Sequence, residues 1–164
     1  VFHFFIFLAF FNITFFLHRY FVDYPKESWR AWQFGFRESI EYVSQNSRDY
    51  EKILINSTYE PTLIRFLFWS DFEPDQFHSQ FVDDKKIIGI TDGVDGFSLD
   101  KYYFGKMTGP FEEILDSKTL YVASARDDIT NPQTLLDNRV KLLETIYSPT
   151  KEPIFYIITG VNEN

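Results

Sequence analysis

The stretch VFHFFIFLAFFNITFFL, residues 1–17, contains no Asp, Glu, Lys or Arg and is dominated by Phe, Leu and Ile. No other feature narrows the possible folds as sharply. A helix that is apolar on every side has no face to offer water, so it must be enclosed by lipid or by a large protein. Seventeen helical residues rise about 26 Å, a little short of the roughly 30 Å of hydrocarbon in a bilayer. Continuing the helix through Tyr20-Phe21-Val22 closes that gap. Each Phe, Leu or Ile at mid-membrane contributes about −0.3 to −0.6 kcal/mol on insertion scales. Their sum outweighs one Asn12 and one His3, which are expected to face protein rather than lipid. His18-Arg19-Tyr20 mark the exit, and Tyr20, Tyr24, Trp29 and Trp32 are candidates for an interfacial aromatic belt.

Two rival readings stand beside a transmembrane helix. A secretory signal peptide needs a basic leading region and a small-residue cleavage site, and neither is present. A buried core helix of a soluble binding domain would need a large protein around so many Phe. The chain opens on Val1 rather than Met, in keeping with a segment cut from a longer protein. The reading is therefore that residues 1–22 form the last transmembrane helix of a larger membrane protein and residues 23–164 a separate α/β domain.

Composition sets further limits. A chain of 164 residues is one ordinary domain with room for a core. A net charge of −8 argues against nucleic acid as a partner, because phosphate binding needs a Lys/Arg surface. With no Cys, disulfides and thiolate metal sites are excluded.

Beyond the opening run, DYPKESWRAWQFGFRESIEYVSQNS reads as one amphipathic helix over residues 23–47. Trp29, Trp32, Phe36, Ile40 and Val43 form its apolar stripe, and Pro25 lies in its first turn. Gly35 in its interior costs about 1 kcal/mol against Ala, which points to a close contact there or to simple tolerance. Ile53-Leu54-Ile55 has the pattern of a strand covered on both faces. Pro61 opens a helix whose buried side is Leu63, Phe66, Leu67 and Trp69, and Pro74 marks a second break. KKIIGI, KYYFG and TLYVAS are strand candidates, and TDGVDGFSLD reads as a turn-rich connection. RVKLLETIYSPTKEPIFYIITG reads as two strands joined by a turn, a terminal hairpin. The predicted fold class is thus α/β: one N-terminal transmembrane helix, then a layered domain with a mixed sheet and a C-terminal β-hairpin.

Catalytic motifs are not found. TDGVDGFSLD departs from an EF-hand, with Thr91 and Gly93 where oxygen ligands belong and Tyr102 in place of the bidentate Glu. ARDDIT and VDDKK read as exposed charge around turns. His3 and His18 belong to the apolar segment or its edge, which leaves His78 as a surface residue. No nucleophile elbow, zincin helix or phosphate loop is present. No catalytic residue and no metal ligand is predicted.

One place has a physical reason to bind something. In α/β sheets ligands settle beyond the carboxyl ends of strands, near helix N-termini. Here that is the loop Asn56-Ser57-Thr58-Tyr59-Glu60, and Asn56, Ser57, Tyr59 and Glu60 are the candidate substrate-binding residues. The competing reading is a helix cap, with Ser57 or Thr58 capping and Glu60 answering the helix dipole. Asn56-Ser57-Thr58 is also a glycosylation sequon. Tyr24, Trp29, Trp32 and Tyr59 are aromatic candidates for sugar or lipid contact, against packing and anchoring as their ordinary roles.

The ordered phrases YFVDYPKESWRAWQFGFRESIEYV, YEKILINSTYEPTLIRFLFW, LDKYYFGKM, TLYVASARDDI and VKLLETIYSPTKEPIFYII resemble the tail of certain prokaryotic membrane glycosyltransferases of GT-C type. These are related to the dolichyl-phosphate-mannose protein mannosyltransferases and the aminoarabinose transferases of lipid A. The resemblance covers nearly the whole chain and rests most on AWQFGF and IYSPTKEPIFYI. It implies a multi-pass cell-membrane parent enzyme with residues after about 22 on the extracytoplasmic side. Its implied partners are the lipid bilayer, a polyprenyl-phosphate sugar donor and a lipid or protein acceptor. The family's catalytic carboxylate lies in an early loop with no counterpart here, so the tail is expected to be non-catalytic, enclosing or selecting the acceptor. No cofactor is expected within these residues, and a divalent metal in the parent is left open. The alternative is a single-pass membrane-anchored interaction domain without catalytic activity.

Overall fold

Ile53, Leu54 and Ile55 lie at the centre of a six-stranded mixed sheet, and each is buried. The computed structural model describes residues 2–59, 62–80, 94–107, 110–130 and 140–161. Glu60, Pro61, the expected strand KKIIGI, VDDKK and Thr91–Gly93 lie outside the described residues.

The opening run is a helix. Its α-helical part, α1 (Phe2–His18), passes through a wider π-turn at Arg19–Asp23 into α2 (Tyr24–Ser28). The whole 27-residue helix is long and apolar enough to cross a membrane, and none of its apolar window is buried against the rest of the chain. Inside it the polar side chains bond their own helix: Asn12 Nδ2 donates to the Leu8 carbonyl at 2.8 Å and Thr14 Oγ1 to that of Phe10 at 2.9 Å. Satisfying donors within the helix lowers the cost of placing them in hydrocarbon.

The amphipathic helix expected over residues 23–47 is in fact interrupted. Residues 29–35 form successive turns, and the helix resumes as α3 (Phe36–Asn46). Two residues of the interruption have left-handed backbone, Gln33 at φ 52° and Gly35 at φ 96°, and no α-helix accommodates either. Gly35 is also a site of close approach: a Cβ there would lie 3.1 Å from Ile154 Cδ1 and 3.2 Å from Ile146 Cγ2. Phe36, Ile40 and Val43 keep the predicted stripe and are buried, whereas Trp32 is 73% exposed.

The strands are β1 (Lys52–Asn56), β2 (Val94–Leu99), β3 (Tyr102–Met107), β4 (Thr119–Ser124), β5 (Val140–Tyr147) and β6 (Pro153–Gly160). Their order is β2-β3-β1-β4-β6-β5, with β1 parallel to both β3 and β4 and every other pair antiparallel. The C-terminal hairpin is β5–β6, with bulges in β5 between Leu142 and Glu144 and between Ile146 and Tyr147. TDGVDGFSLD, expected as a turn, enters β2 at Val94. Gly96 serves strand approach there, since a Cβ would fall 1.9 Å from the Phe104 carbonyl oxygen.

Strand alternation divides the core between the two sheet faces. Ile53, Ile55, Leu120, Val122, Phe155 and Ile157 pack under α3 and α4 (Thr62–Trp69), against Phe36, Ile40, Val43 and Phe66. Leu54, Tyr121, Tyr156 and Ile158 face the other way, where Leu115 and Ile129 bury with them and α6 (Phe111–Ile114) packs beside them. Burying both faces explains the uninterrupted apolar run of β1. Trp69, expected on the buried side of α4, is 38% exposed and lies under the Arg37 guanidinium, 5.1 Å from its ring centroid. A short helix, α5 (Pro74–Gln80), begins at Pro74, the predicted break.

Candidate functional site

The chain leaves β1 toward β3 and later returns to β4 on the other side of β1, so Asn56 ends a strand where the sheet's connections diverge. Crevices form at such points, outside the carboxyl ends of parallel strands. A cavity of about 550 Å³ lies here. Its walls come from the turns before α3 (Trp29, Arg30, Gln33, Phe34), from Tyr59 after β1, from Ala125 and Arg126 after β4, and from Glu152–Phe155 at the start of β6.

Phe36, Tyr59 and Phe155 form the apolar part as an edge-to-face trio, with centroids 5.0 to 6.2 Å apart. That geometry matches the ring quadrupoles. Arg65 braces it, its guanidinium 4.8 Å above the Phe36 ring and Nη1 donating to the Tyr59 carbonyl. At the rim the exposed Arg30 pairs with Glu152 at 2.7 Å, and Arg126 Nε stands 3.5 Å from Asp127. Gln33 Oε1 is buried with no hydrogen-bond partner among the described residues.

A polar network holds the Arg126 wall in place. Asp128 Oδ2 accepts from Asn56 Nδ2 at 2.6 Å, the Tyr121 hydroxyl at 2.7 Å and the Ser124 amide at 2.8 Å. The turn Ser124–Asp128 is closed by the Asp128 amide donating to the Ser124 carbonyl and the Arg126 amide to Ser124 Oγ. Burial raises the Asp128 carboxyl above its ordinary pKa, and the three donors oppose the shift. Burial also lifts the Tyr121 hydroxyl well above its usual range, with the Asp128 charge adding to it. ARDDIT, read from sequence as exposed charge, is thus partly interior: Asp127 is exposed and Asp128 is a structural acceptor.

The predicted loop residues separate. Asn56 is fully buried, donates to Asp128 and accepts the Thr58 amide at 2.6 Å, and it does not line the cavity. Its burial also removes the sequon from reach in the folded protein. Ser57 is half-buried, with its amide on the Gly105 carbonyl. Thr58 Oγ1 is buried and has no partner among the described residues. Tyr59 lines the cavity, and Glu60 lies outside the described residues. The interfacial aromatics separate too. Tyr20 stacks on Tyr24 at 5.8 Å, and Trp32 Nε1 donates to the Tyr24 hydroxyl at 3.1 Å, whereas Trp29 is half-buried and lines the cavity.

Sequence reading missed Gln33, Arg30, Arg126, Glu152 and Asp128. The one available signal was Gly35, two residues after Gln33 in WQFG, which from sequence pointed to a close contact or simple tolerance within a continuous helix. Among the described lining residues, Glu152 is the one carboxylate and none is a His. Among the described residues no three His, Asp or Glu side chains gather as metal ligands. Comparison with protein-family models, curated proteins and solved structures gives no match.

Proposed function

We propose that this chain is the C-terminal extracytoplasmic domain of a membrane glycosyltransferase that uses a polyprenyl-phosphate sugar, with residues 1–22 as the parent's last span. In this reading the domain holds or selects the lipid or protein acceptor, and bond-making belongs to the rest of the parent. The observation that carries it is continuity. The long apolar helix ends at Ser28, and the next residues, Trp29, Arg30, Gln33 and Phe34, are already cavity wall. A ligand in that cavity would lie close to the end of the span, where an acceptor for a carrier held in the membrane has to come. The ordered sequence phrases supply the choice of enzyme class.

The test is the complete reading frame. Coding DNA upstream of Val1 that continues through many apolar spans, with an Asp or Glu in the first extracytoplasmic loop, supports the reading. Sugar transfer from a polyprenyl-phosphate donor by the full-length product completes it. A start codon immediately before Val1 overturns it and leaves a single-pass anchored interaction domain.

A further inference from the structure

We propose that the apolar helix pairs with the same helix of a second copy of this chain, parallel and side by side, through a seam of Phe5, Ala9, Asn12 and Phe16. The proposal goes beyond the enzyme class and rests only on the reading of residues 1–22 as a membrane span.

Asn12 calls for a partner. It is the midpoint of residues 2–22, about 15 Å along the helix from Phe2, and so lies near the middle of the hydrocarbon. Thr14 gives its one hydroxyl hydrogen to the Phe10 carbonyl and is satisfied as a donor. An amide has two N–H groups and an acceptor oxygen, and among the described residues Asn12 makes one bond, from Nδ2 to the Leu8 carbonyl. Lipid tails offer nothing to the remaining groups, and unmet polar groups in hydrocarbon are costly. The chain's own domain offers nothing either, because no residue of α1 is buried.

The surroundings of Asn12 describe what meets it. At about 100° per residue, Phe5, Ala9 and Phe16 fall within about 60° of Asn12, whereas His3 and Thr14 lie on the opposite side of the helix. Spacings of four, three and four residues make the seam of two helices wound left-handed, the common crossing in membranes. Ala9 has the smallest side chain of the apolar run and stands one turn before Asn12, where it lets two backbones come close. An amide both donates and accepts, so a second Asn12 across a two-fold axis supplies what the first lacks.

The charges at the exit permit a parallel pair. Residues 18–27 carry Arg19 and Lys26 against Asp23 and Glu27. Arg19 is answered within its own chain, by Glu27 at 2.9 Å and Asp23 at 3.7 Å. Two identical exits therefore meet without net repulsion.

The test is sedimentation equilibrium of the full chain in density-matched detergent micelles. Expected is a dimer that dissociates as the ratio of detergent to chain is raised. Asn12→Leu should weaken association about tenfold, the loss of an intramembrane amide contact. It should insert at least as well, since Leu is the more apolar residue. Asn12→Gln keeps an amide and should restore most of the association, and Thr14→Val, on the far side, should leave it unchanged. The chain has no Cys, so a single introduced thiol reports the seam. In phosphatidylcholine vesicles under mild oxidation, Ala9→Cys should cross-link and Phe7→Cys, facing away, should not. A monomer in micelles, unchanged association in Asn12→Leu, or equal cross-linking at the two positions overturns the proposal. A chain that is monomeric without detergent overturns the span as well. None of these outcomes depends on the upstream reading frame, so the pairing and the parent enzyme are decided separately.

Discussion

Asn56 reaches Asp128 with its side-chain amide at 2.6 Å, joining the last residue of the central strand to the turn that follows β4. The bond fixes one wall of the cavity relative to the sheet. Three donors converge on the same oxygen of Asp128, so deleting that oxygen strands the Tyr121 hydroxyl and the Ser124 amide and leaves Asn56 Nδ2 only its longer bond to the Tyr121 hydroxyl, at 3.4 Å. Asp128→Ala is expected to destabilise the domain by about 1–3 kcal/mol in urea denaturation, the cost of unsatisfied buried donors. Asp128→Asn keeps an acceptor oxygen in the same place and should cost less than about 1 kcal/mol. Equal losses in the two variants would show that the network does not hold the turn.

The same carboxyl sets a pH dependence. Its folded pKa is raised above the unfolded value, so the folded state holds the proton more tightly. Its contribution to stability is therefore greatest below the unfolded pKa and is lost as pH rises through the folded one. Between the ordinary carboxylate range and the raised value, Asp128→Asn should flatten the pH profile of stability relative to the parent protein. A parallel profile for the two proteins would contradict the shift.

Gly35 combines left-handed backbone with close contacts to Ile154 and Ile146. Gly35→Ala should cost about 1–2 kcal/mol from the backbone alone, and more if the isoleucines cannot yield. Thermal denaturation measures it, and a variant as stable as the parent would mean that the turn adjusts freely.

Gln33 is expected to behave in the opposite sense. Removing a buried oxygen without a partner stabilises, so Gln33→Leu should gain about 1 kcal/mol or remain neutral. A loss of more than about 1 kcal/mol would mean that the oxygen is already satisfied in the free protein.

For the opening helix, the test is a charge at mid-span. Phe10→Arg exchanges a favourable residue for one costing about 2.5–3.5 kcal/mol at the helix centre on insertion scales. Alkaline extraction of membranes from expressing cells should release more of this variant than of the parent. Equal release would argue that the helix is buried in protein.

The sheet was legible in sequence because its strands announce themselves twice, by apolar run and by bounding turn. Ile53–Ile55, TLYVAS and the two arms around SPTKEP all carry both signals. The break before α3 was half legible. Gly35 was visible, but the stripe from Trp29 to Val43 has helical spacing throughout, and only tertiary contacts with Ile146 and Ile154 reveal why the chain turns. The strand-end loop named from the sequence divides in the fold. Asn56 and Tyr59 are three residues apart, yet one serves the sheet and the other the cavity. Asp128 carried no signal at all, since next to Asp127 in a polar turn it differs only in which way the folded chain points it.

The position of β1 also has a consequence for the order of events during synthesis. Ile53 finds its sheet partners at Tyr102 and Leu120, both far down the chain, while the apolar helix is complete before β1 has been made. Contacts so distant in sequence form slowly, because the intervening chain must first be closed into a loop. If the helix takes its place in the bilayer as it emerges, the rest folds on a tether, with the central strand waiting unpaired beside the lipid. Lys52 at the start of that strand and Asn56 at its end flank the waiting apolar run with polar groups, the kind of guard that keeps an unpaired strand from finding a neighbour too early.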